Sequence, residues 1–139
     1  MILIVDSGST KTDWIAINNK GEILFQTQTL GLNPQVLTDY IIEERIINNF
    51  ELYQNRKSIT KLFFYGAGCG TEPPRIMIKG VFLNIFKSAE VLVKEDTFAA
   101  IYATADINKK SIVCILGTGS NCSYFDGENV IQKITSLGY

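Results

Sequence analysis

The stretch Ile4-Val5-Asp6-Ser7-Gly8-Ser9-Thr10 decides the fold of this chain, because much of its pattern returns at Ile115-Leu116-Gly117-Thr118-Gly119-Ser120-Asn121. In both places an apolar run that is typical of a buried strand leads into a turn of glycine and hydroxyl residues. One isoleucine, one glycine and one serine coincide at a constant offset. Further on, Lys20-Gly21-Glu22 has a counterpart in Asp126-Gly127-Glu128. This repetition predicts a duplicated unit whose second copy stops at Tyr139, before its first helix.

The apolar periodicity between the two stretches predicts an α/β fold. The predicted strands are residues 2–5, 14–17, 22–29, 62–65, 91–93 and 112–116. The predicted helices begin at Asn33-Pro34, after Pro73-Pro74 and at Asp96, and the last one runs to about Thr104. The order β-β-β-α-β-α-β-α predicts a mixed sheet flanked by helices in a first domain, residues 1–106. Residues 107–139 are expected to be the incomplete start of a second such domain.

The composition excludes several classes of function. Of the 139 residues, 46% are hydrophobic and 19% are charged, and the net charge of −1 argues against a nucleic-acid or membrane surface built on bulk charge. Histidine is absent, so Ser-His-Asp hydrolysis, Cys-His proteolysis and His-ligated zinc are excluded. Any acid–base chemistry must therefore come from a carboxylate, lysine, tyrosine or cysteine.

The three cysteines, Cys69, Cys114 and Cys122, include no CxxC pair. Their odd number and wide spacing favour free thiols in a reducing compartment over a disulfide framework. The opening residues lack the pattern of a signal peptide, and no apolar run is long enough to span a membrane. We therefore expect a cytoplasmic protein.

The two turns are candidate phosphate-binding sites. A turn rich in Gly, Ser and Thr offers backbone N–H groups and hydroxyls to an anion, although either turn alone is more typical of an ordinary hairpin. The P-loop is excluded, because Lys11-Thr12 is preceded by Thr10 where that motif requires glycine. A Rossmann fingerprint at residues 66–70 fails as well, since its third glycine falls one position early and the chain opens with three strands.

Carboxylates at strand ends are the candidates for acid–base and metal chemistry, since ligands gather at the carboxyl ends of strands in α/β sheets. Asp6 could hold Mg²⁺ or cap a turn. Asp96 could take a proton from an attacking hydroxyl, cap the following helix, or do both, with Glu95 as its competitor. Asn33 is either an N-cap or a ligand for a polar substrate, and Lys11 either neutralises phosphate or is solvated.

Taken together, these pieces resemble the actin-like ATPase fold (ribonuclease H-like) of sugar kinases, Hsp70 and actin. Within that superfamily the chain resembles the BadF/BadG-type ATPase family, and most of all its N-acetylglucosamine kinase-like proteins. The matching segments are Asp6-Ser7-Gly8-Ser9-Thr10-Lys11-Thr12, Leu32-Asn33-Pro34, Gly66-Ala67-Gly68, Glu95-Asp96-Thr97 and Leu116-Gly117-Thr118-Gly119-Ser120-Asn121. Their order and spacing cover nearly the whole chain.

The resemblance implies a role for each of these segments. Phosphates of ATP would be bound by Gly8, Ser9, Thr10 and Lys11 in a first loop, and by Thr118 and Gly119 in a second. Asp6 would lie near Mg²⁺, and Asp96 would be the catalytic base that deprotonates the 6-hydroxyl of a sugar. The sugar would be contacted by Asn33, Gly68, Asp96, Ser120, Asn121 and Gly138. Leu137 stands where some relatives carry tryptophan.

The function that the resemblance implies is that of an ATP-dependent sugar kinase acting on N-acetylglucosamine or a related amino sugar. Its cofactors would be ATP and Mg²⁺, without a nucleic-acid or membrane partner, and the full-length parent would be a homodimer. Relatives are roughly twice as long, so the chain is expected to be an N-terminal portion that is inactive alone. The alternatives are an activator ATPase of a radical dehydratase or reductase, which holds an iron–sulfur cluster through cysteines, a type III pantothenate kinase, and a non-catalytic sugar- or nucleotide-sensing module.

Overall fold

The computed structural model describes residues 1–106, 109–116, 119–131 and 137–138, and the chain divides into two units, Met1–Asp96 and Thr97–Tyr139. The sequence predicted a boundary after residue 106, with the helix that begins at Asp96 in the first domain. In the structure this helix belongs with the second unit from Thr97 onward, because its buried Ile101 packs against strands of that unit.

A five-stranded mixed sheet forms the centre of the first unit. Its strands are β1 (Ile2–Ser7), β2 (Lys11–Ile17), β3 (Ile23–Leu30), β4 (Lys61–Gly66) and β5 (Glu90–Glu95). They lie in the order β3-β2-β1-β4-β5, with β1, β2 and β3 antiparallel and β1, β4 and β5 parallel. The predicted mixed sheet is confirmed, and β1 lies in its middle.

Helices of the first unit, α1 (Asp39–Ile47), α2 (Phe50–Asn55) and α3 (Glu72–Ile85), contribute buried apolar residues to the same core as one face of this sheet. The fully buried Trp14 meets the ring of Phe82 edge-on, with 6.3 Å between the ring centroids. Side chains alternate along β1, so Leu3 is buried while Ile4 on the opposite face is 37% exposed. The core of this unit therefore lies on one side of the sheet.

The helix predicted to begin at Asn33-Pro34 begins instead at Asp39. Thr38 is its N-cap, and the Thr38 hydroxyl accepts a hydrogen bond from the backbone N–H of Ile41 at 3.4 Å. The helical segment also breaks, because Asn49 caps a second helix, α2. The element order is therefore β-β-β-α-α-β-α-β-α, with two helices where the sequence predicted one.

The described residues of the second unit form α4 (Asp96–Thr104, from Thr97 onward) and the strands β6 (Ser111–Leu116), β7 (Gly119–Phe125), β8 (Val130–Ile131) and β9 (Leu137–Gly138). Strand β7 pairs antiparallel with β6, β8 and β9. Ile101, Val113 and Phe125 form the buried core. The antiparallel pairing of β6 with β7 matches that of β1 with β2, as the repeated sequence pattern predicts. No helix in the described part of the chain is long and apolar enough to cross a membrane.

Phe82→Ala is expected to destabilise the first unit by about 3–5 kcal/mol, because it removes a fully buried ring that contacts Trp14, Phe64 and Phe86 and leaves a cavity. Phe50→Ala is the control, since Phe50 is 73% exposed and its loss should change the free energy of unfolding by about 0.5 kcal/mol or less. Urea denaturation followed by circular dichroism measures both changes. Equal losses in the two variants would contradict the core described above.

Candidate functional site

The carboxyl ends of the three parallel strands lie in one row. In the strand register, Ser7 of β1 pairs with Gly66 of β4, and Gly66 pairs with Glu95 of β5. The backbone N–H of Ala67 donates to the Ser7 carbonyl at 2.8 Å, which joins the first two strand ends. Because ligands of α/β sheets bind at this edge, the segments that follow the three strands form the candidate site of the first unit.

The turn between β1 and β2 is held by its backbone. The Gly8 N–H donates to the Lys11 carbonyl at 2.9 Å, and the Thr10 carbonyl accepts from the Gly31 N–H at 2.8 Å. A Cβ at Gly31 would collide with the Ser9 carbonyl, so glycine is required for this close approach. Because Gly8, Ser9 and Thr10 are exposed, the turn presents two hydroxyl side chains on a fixed backbone.

Two buried hydroxyls support this turn. Ser7 Oγ and Thr12 Oγ1 lie 2.8 Å apart, and both side chains are almost fully buried. Ser7 Oγ also accepts from the Leu32 N–H at 3.1 Å, and the Thr12 hydroxyl donates to the Leu30 carbonyl at 3.2 Å. Neither residue was assigned a role from the sequence, although the period-two alternation of β1 places Ser7 on the buried face with Leu3.

Asn33 links the first turn to the segment after β4. Its Nδ2 donates to Ser9 Oγ at 3.0 Å, and its Oδ1 accepts from the Gln35 N–H at 2.9 Å. Gly68 has a φ of +81°, and a Cβ there would collide with Asn33 Oδ1. Asn33 is therefore not the N-cap of α1, because its amide oxygen accepts from Gln35 in a turn before that helix. The Asn33 amide lies between Ser9 and Gly68. Its contact with a sugar stays a prediction.

Asp6 lies directly opposite Asp13 in the antiparallel register of β1 and β2. Lys11 Nζ lies 2.8 Å from Asp13 Oδ2, and Gln28 Nε2 donates to Asp13 Oδ1 at 2.7 Å. Partial burial raises the pKa of Asp6, and the charge of Asp13 adds to this, whereas Lys11 lowers it. The Lys11 side chain is 57% exposed and pairs with Asp13, and its contact with a phosphate stays a prediction.

Glu95 and Asp96 are consecutive at the junction of β5 and α4. Burial raises the pKa of Glu95, and the charge of Asp96 adds to this, whereas the Arg75 guanidinium lowers it. The fully buried Cys69 interacts electrostatically with both carboxylates, and burial raises the pKa of its thiol to about 12. Asp96 lies in the first turn of α4, where exposed backbone N–H groups favour a negative charge. Its role as a base stays a prediction.

The candidate residues of the second unit lie around the start of β7. Gly119 pairs with Gly138, and Ser120 pairs with Leu137, in the register of β7 and β9. Gly119, which is predicted to bind phosphate, and Gly138, which is predicted to bind sugar, are therefore neighbours on adjacent strands. Thr118, which was predicted to bind phosphate, lies outside the described residues.

The amide of Asn121 is hydrogen-bonded within the second unit. Its Nδ2 donates to Thr97 Oγ1 at 3.3 Å, and its Oδ1 accepts from Ser123 Oγ at 3.0 Å. Thr97 and Ser123 are both almost fully buried. Asn121 therefore joins β7 to the start of α4, a contact that the sequence did not indicate, and its predicted sugar contact stays a prediction.

Cysteine positions bear on the iron–sulfur alternative. Cys69 belongs to the first unit, and Cys114 and Cys122 belong to the second. Within the described ranges, no group of three or more Cys, Asp or Glu side chains could hold a metal ion.

Comparison with solved structures identifies the fold. The chain is 36% identical to the "Putative N-acetylglucosamine Kinase" of Porphyromonas gingivalis, with a TM-score of 0.86 over 100% of this chain and 49% of that one. The resemblance to N-acetylglucosamine kinase-like proteins is confirmed. This chain therefore spans about half the length of that kinase-like relative.

A second structure supports the actin-like ATPase fold alone. The inorganic polyphosphate/ATP-glucomannokinase of Arthrobacter sp. strain KM is 16% identical, with a TM-score of 0.55 over 96% of this chain and 62% of that one. No protein-family model matches the chain, and no match was found among the curated proteins. The fold assignment therefore rests on the comparison with solved structures.

Gly68→Ala is expected to cost this kinase-like fold more stability than Gly21→Ala. Both glycines have a φ of +81°, so each alanine bears a left-handed strain of roughly 1–2 kcal/mol. Only at position 68 does the added Cβ also collide with Asn33, whereas a Cβ at Gly21 meets nothing within 4 Å. Urea denaturation measures the difference between the two losses. Equal losses would show that the Asn33 amide is not held against this segment.

Glu95→Gln is expected to stabilise the chain at neutral pH, because it removes a carboxylate whose charged form is disfavoured by burial. The pKa of Glu95 is raised in the folded state above the ordinary value of about 4.3, so the folded state binds this proton more tightly. Stability of the unsubstituted chain therefore falls as pH rises from that ordinary value through the raised pKa. The gain from glutamine should be full at about pH 7 and vanish below about pH 4.

Urea denaturation at about pH 7 and about pH 3.5 brackets this window. Glu90→Gln is the matched control, because it removes the same charge from the exposed start of β5. If Glu95→Gln raised the free energy of unfolding at neutral pH no more than Glu90→Gln does, the Glu95 carboxylate would not be buried as described.

Proposed function

We propose that this chain is the part of an ATP-dependent sugar kinase that supplies the first phosphate-binding turn and the catalytic base. The reaction is transfer of the γ-phosphoryl group of MgATP to the 6-hydroxyl of N-acetylglucosamine or a related amino sugar. The register row of Ser7, Gly66 and Glu95 carries the proposal, because the hydroxyl-rich turn and Asp96 directly follow strands that end at this edge. The Asn33 amide donates to Ser9 of the same turn. The likeness to the P. gingivalis protein, which extends over 100% of this chain and 49% of that one, supports the same assignment.

The turn at residues 8–10 fits a phosphate-binding role. The Gly8 N–H donates to the Lys11 carbonyl, and Gly31 packs against the Ser9 carbonyl. The side chains of Ser9 and Thr10 remain exposed. Donors that are already fixed need little reorganisation when charge develops on a phosphoryl group. We propose that Ser9 and Thr10 bind phosphate oxygens and that Lys11 adds a positive charge when it is released from Asp13.

Asp6 fits a position beside Mg²⁺ and ATP. In phosphate sites Mg²⁺ is commonly held by one or two carboxylates together with phosphate oxygens and water, so a ligand cluster is not required. Asp6 is a half-exposed carboxylate whose charged form is disfavoured by burial and by Asp13, and a nearby cation would offset both effects. When bound, Mg²⁺ neutralises charge on the phosphoryl oxygens.

Asp96 is the proposed base. Its carboxylate would accept the proton of the sugar 6-hydroxyl while the hydroxyl oxygen forms a bond to the γ-phosphorus and ADP leaves with the electron pair of the broken P–O bond. Glu95 is the competitor, but its carboxylate faces the segment after β4, since a Cβ at Gly70 would lie 3.3 Å from Glu95 Oε1. The chain contains no histidine, so we assign the role of proton acceptor to a carboxylate.

The second unit is proposed to contribute further ligands of the same reaction. We assign phosphate binding to Thr118 and Gly119 and sugar binding to Asn33 and Gly68 of the first unit and to Ser120, Asn121 and Gly138 of the second. The same proposal includes a homodimeric full-length protein whose domain boundary lies near residue 106, at the end of α4, whereas the contacts within this chain divide it after Asp96. These assignments rest on the resemblance between the motifs of this chain and those of sugar kinases.

The test is a chimera in which residues 1–139 of this chain replace the matching half of the P. gingivalis protein. We expect ATP-dependent phosphorylation of N-acetylglucosamine, followed by ADP release and by the mass of the sugar product. In this chimera Asp96→Asn is expected to lower kcat by about 100-fold or more, because a general base is lost. Calorimetric titration should show the affinity for the sugar changed only a few-fold.

Two variants of the same chimera make the test specific. Glu95→Gln examines the competing base, and Glu90→Gln controls for the loss of one charge on β5. Turnover that survives Asp96→Asn but is lost in Glu95→Gln would move the base to Glu95. A folded chimera that phosphorylates pantothenate or glucose but not N-acetylglucosamine would contradict the substrate, and one that phosphorylates no substrate would contradict the kinase proposal.

A further inference from the structure

Cys114 and Cys122 face each other across the antiparallel strands β6 and β7. They are register partners, and their Sγ atoms lie 2.7 Å apart. Directly opposite residues of an antiparallel pair have Cα atoms about 4.5–5.5 Å apart. A disulfide requires a Cα separation of about 4.4–6.8 Å. The backbone of this hairpin therefore already has the spacing that a disulfide needs.

Both thiols lie on the exposed face of the hairpin. Val113 and Phe125 point to the core with Ile101, and alternation along each strand turns Cys114 and Cys122 to the other side. Both cysteines are exposed in this chain, so a small oxidant can reach either sulfur. The hydrogen bond that the two thiols share raises the pKa of Cys122.

We propose that Cys114 and Cys122 are a dithiol site that a small disulfide such as glutathione disulfide oxidises reversibly to an intramolecular cross-strand disulfide. The thiolate of one cysteine attacks the small disulfide, forms a mixed disulfide and releases one small thiol. The second cysteine then loses its proton and attacks the protein sulfur of the mixed disulfide, which releases the second small thiol. The protein loses two protons and two electrons, and the oxidant is reduced to two thiols.

The proposed bridge lies near the end of the pairing between β6 and β7. Two further register pairs, Ile115 with Asn121 and Leu116 with Ser120, separate it from residues 117–118. A covalent link at Cys114–Cys122 would fix the pairing of β6 with β7 at these register pairs. Formation of the bridge is independent of the kinase proposal, because it depends only on the register and exposure of the two cysteines.

The test is oxidation of the native 139-residue chain with glutathione disulfide, followed by alkylation in denaturant and peptide mass mapping. We expect the chain to lose the mass of two hydrogen atoms, with Cys114 linked to Cys122 and Cys69 alkylated as a free thiol. Dithiothreitol should restore the reduced mass. Cys69 is an internal control, since it is fully buried.

Single variants separate a paired site from two independent thiols. Cys114→Ser and Cys122→Ser should each retain one glutathione as a stable mixed disulfide, because no second thiol remains to displace it, and circular dichroism checks that both fold. The proposal is overturned if the unsubstituted chain carries glutathione on both cysteines, links Cys69, forms only intermolecular dimers on a non-reducing gel, or stays fully reduced while the single variants react.

Discussion

One buried hydrogen bond, between the hydroxyls of Ser7 and Thr12, is the constraint on which the candidate site depends. It joins the last residue of β1 to β2 beneath the exposed turn, and further bonds extend it to the backbone of Leu30 and Leu32. A buried hydroxyl left without its partner costs about 1–3 kcal/mol, so these segments resist moving separately. The exposed turn and the neighbouring Asn33 amide are therefore positioned by a contact that is itself buried.

The sheet could be predicted because its signals are local, whereas the helix ends could not. An apolar run between turn residues locates each strand to within a few positions. Asn33 has the sequence of an N-cap, yet its amide is bound by Ser9 of an earlier turn. Asn49 caps α2 and donates to Thr27 Oγ1 at 2.8 Å and to the Gln28 carbonyl at 3.2 Å. Such tertiary contacts lie outside any helical window of sequence.

In the candidate site, strand order predicted which residues lie at the sheet edge, but not which side chains they contact. Carboxyl ends of parallel strands must meet at one edge, which is why Asp6 and Asp96 could be assigned to it from strand order alone. The pairing of Lys11 with Asp13, and of two cysteines eight positions apart, depends on strand geometry that composition and spacing do not contain. Sequence motifs therefore indicate which groups are present, and register decides which of them touch.

The central position of β1 has a consequence for how the chain emerges from the ribosome. Its neighbour β2 follows immediately in the sequence. Its other neighbour is β4, so Ile2 cannot pair until Lys61 has been synthesised. The meander of β1, β2 and β3 can pair at once, whereas closing the long loop to β4 is slow compared with forming a hairpin. During that interval the second edge of β1 is an unpaired apolar strand. Nascent chains of this length are thus most vulnerable to pairing with one another before β4 has been synthesised.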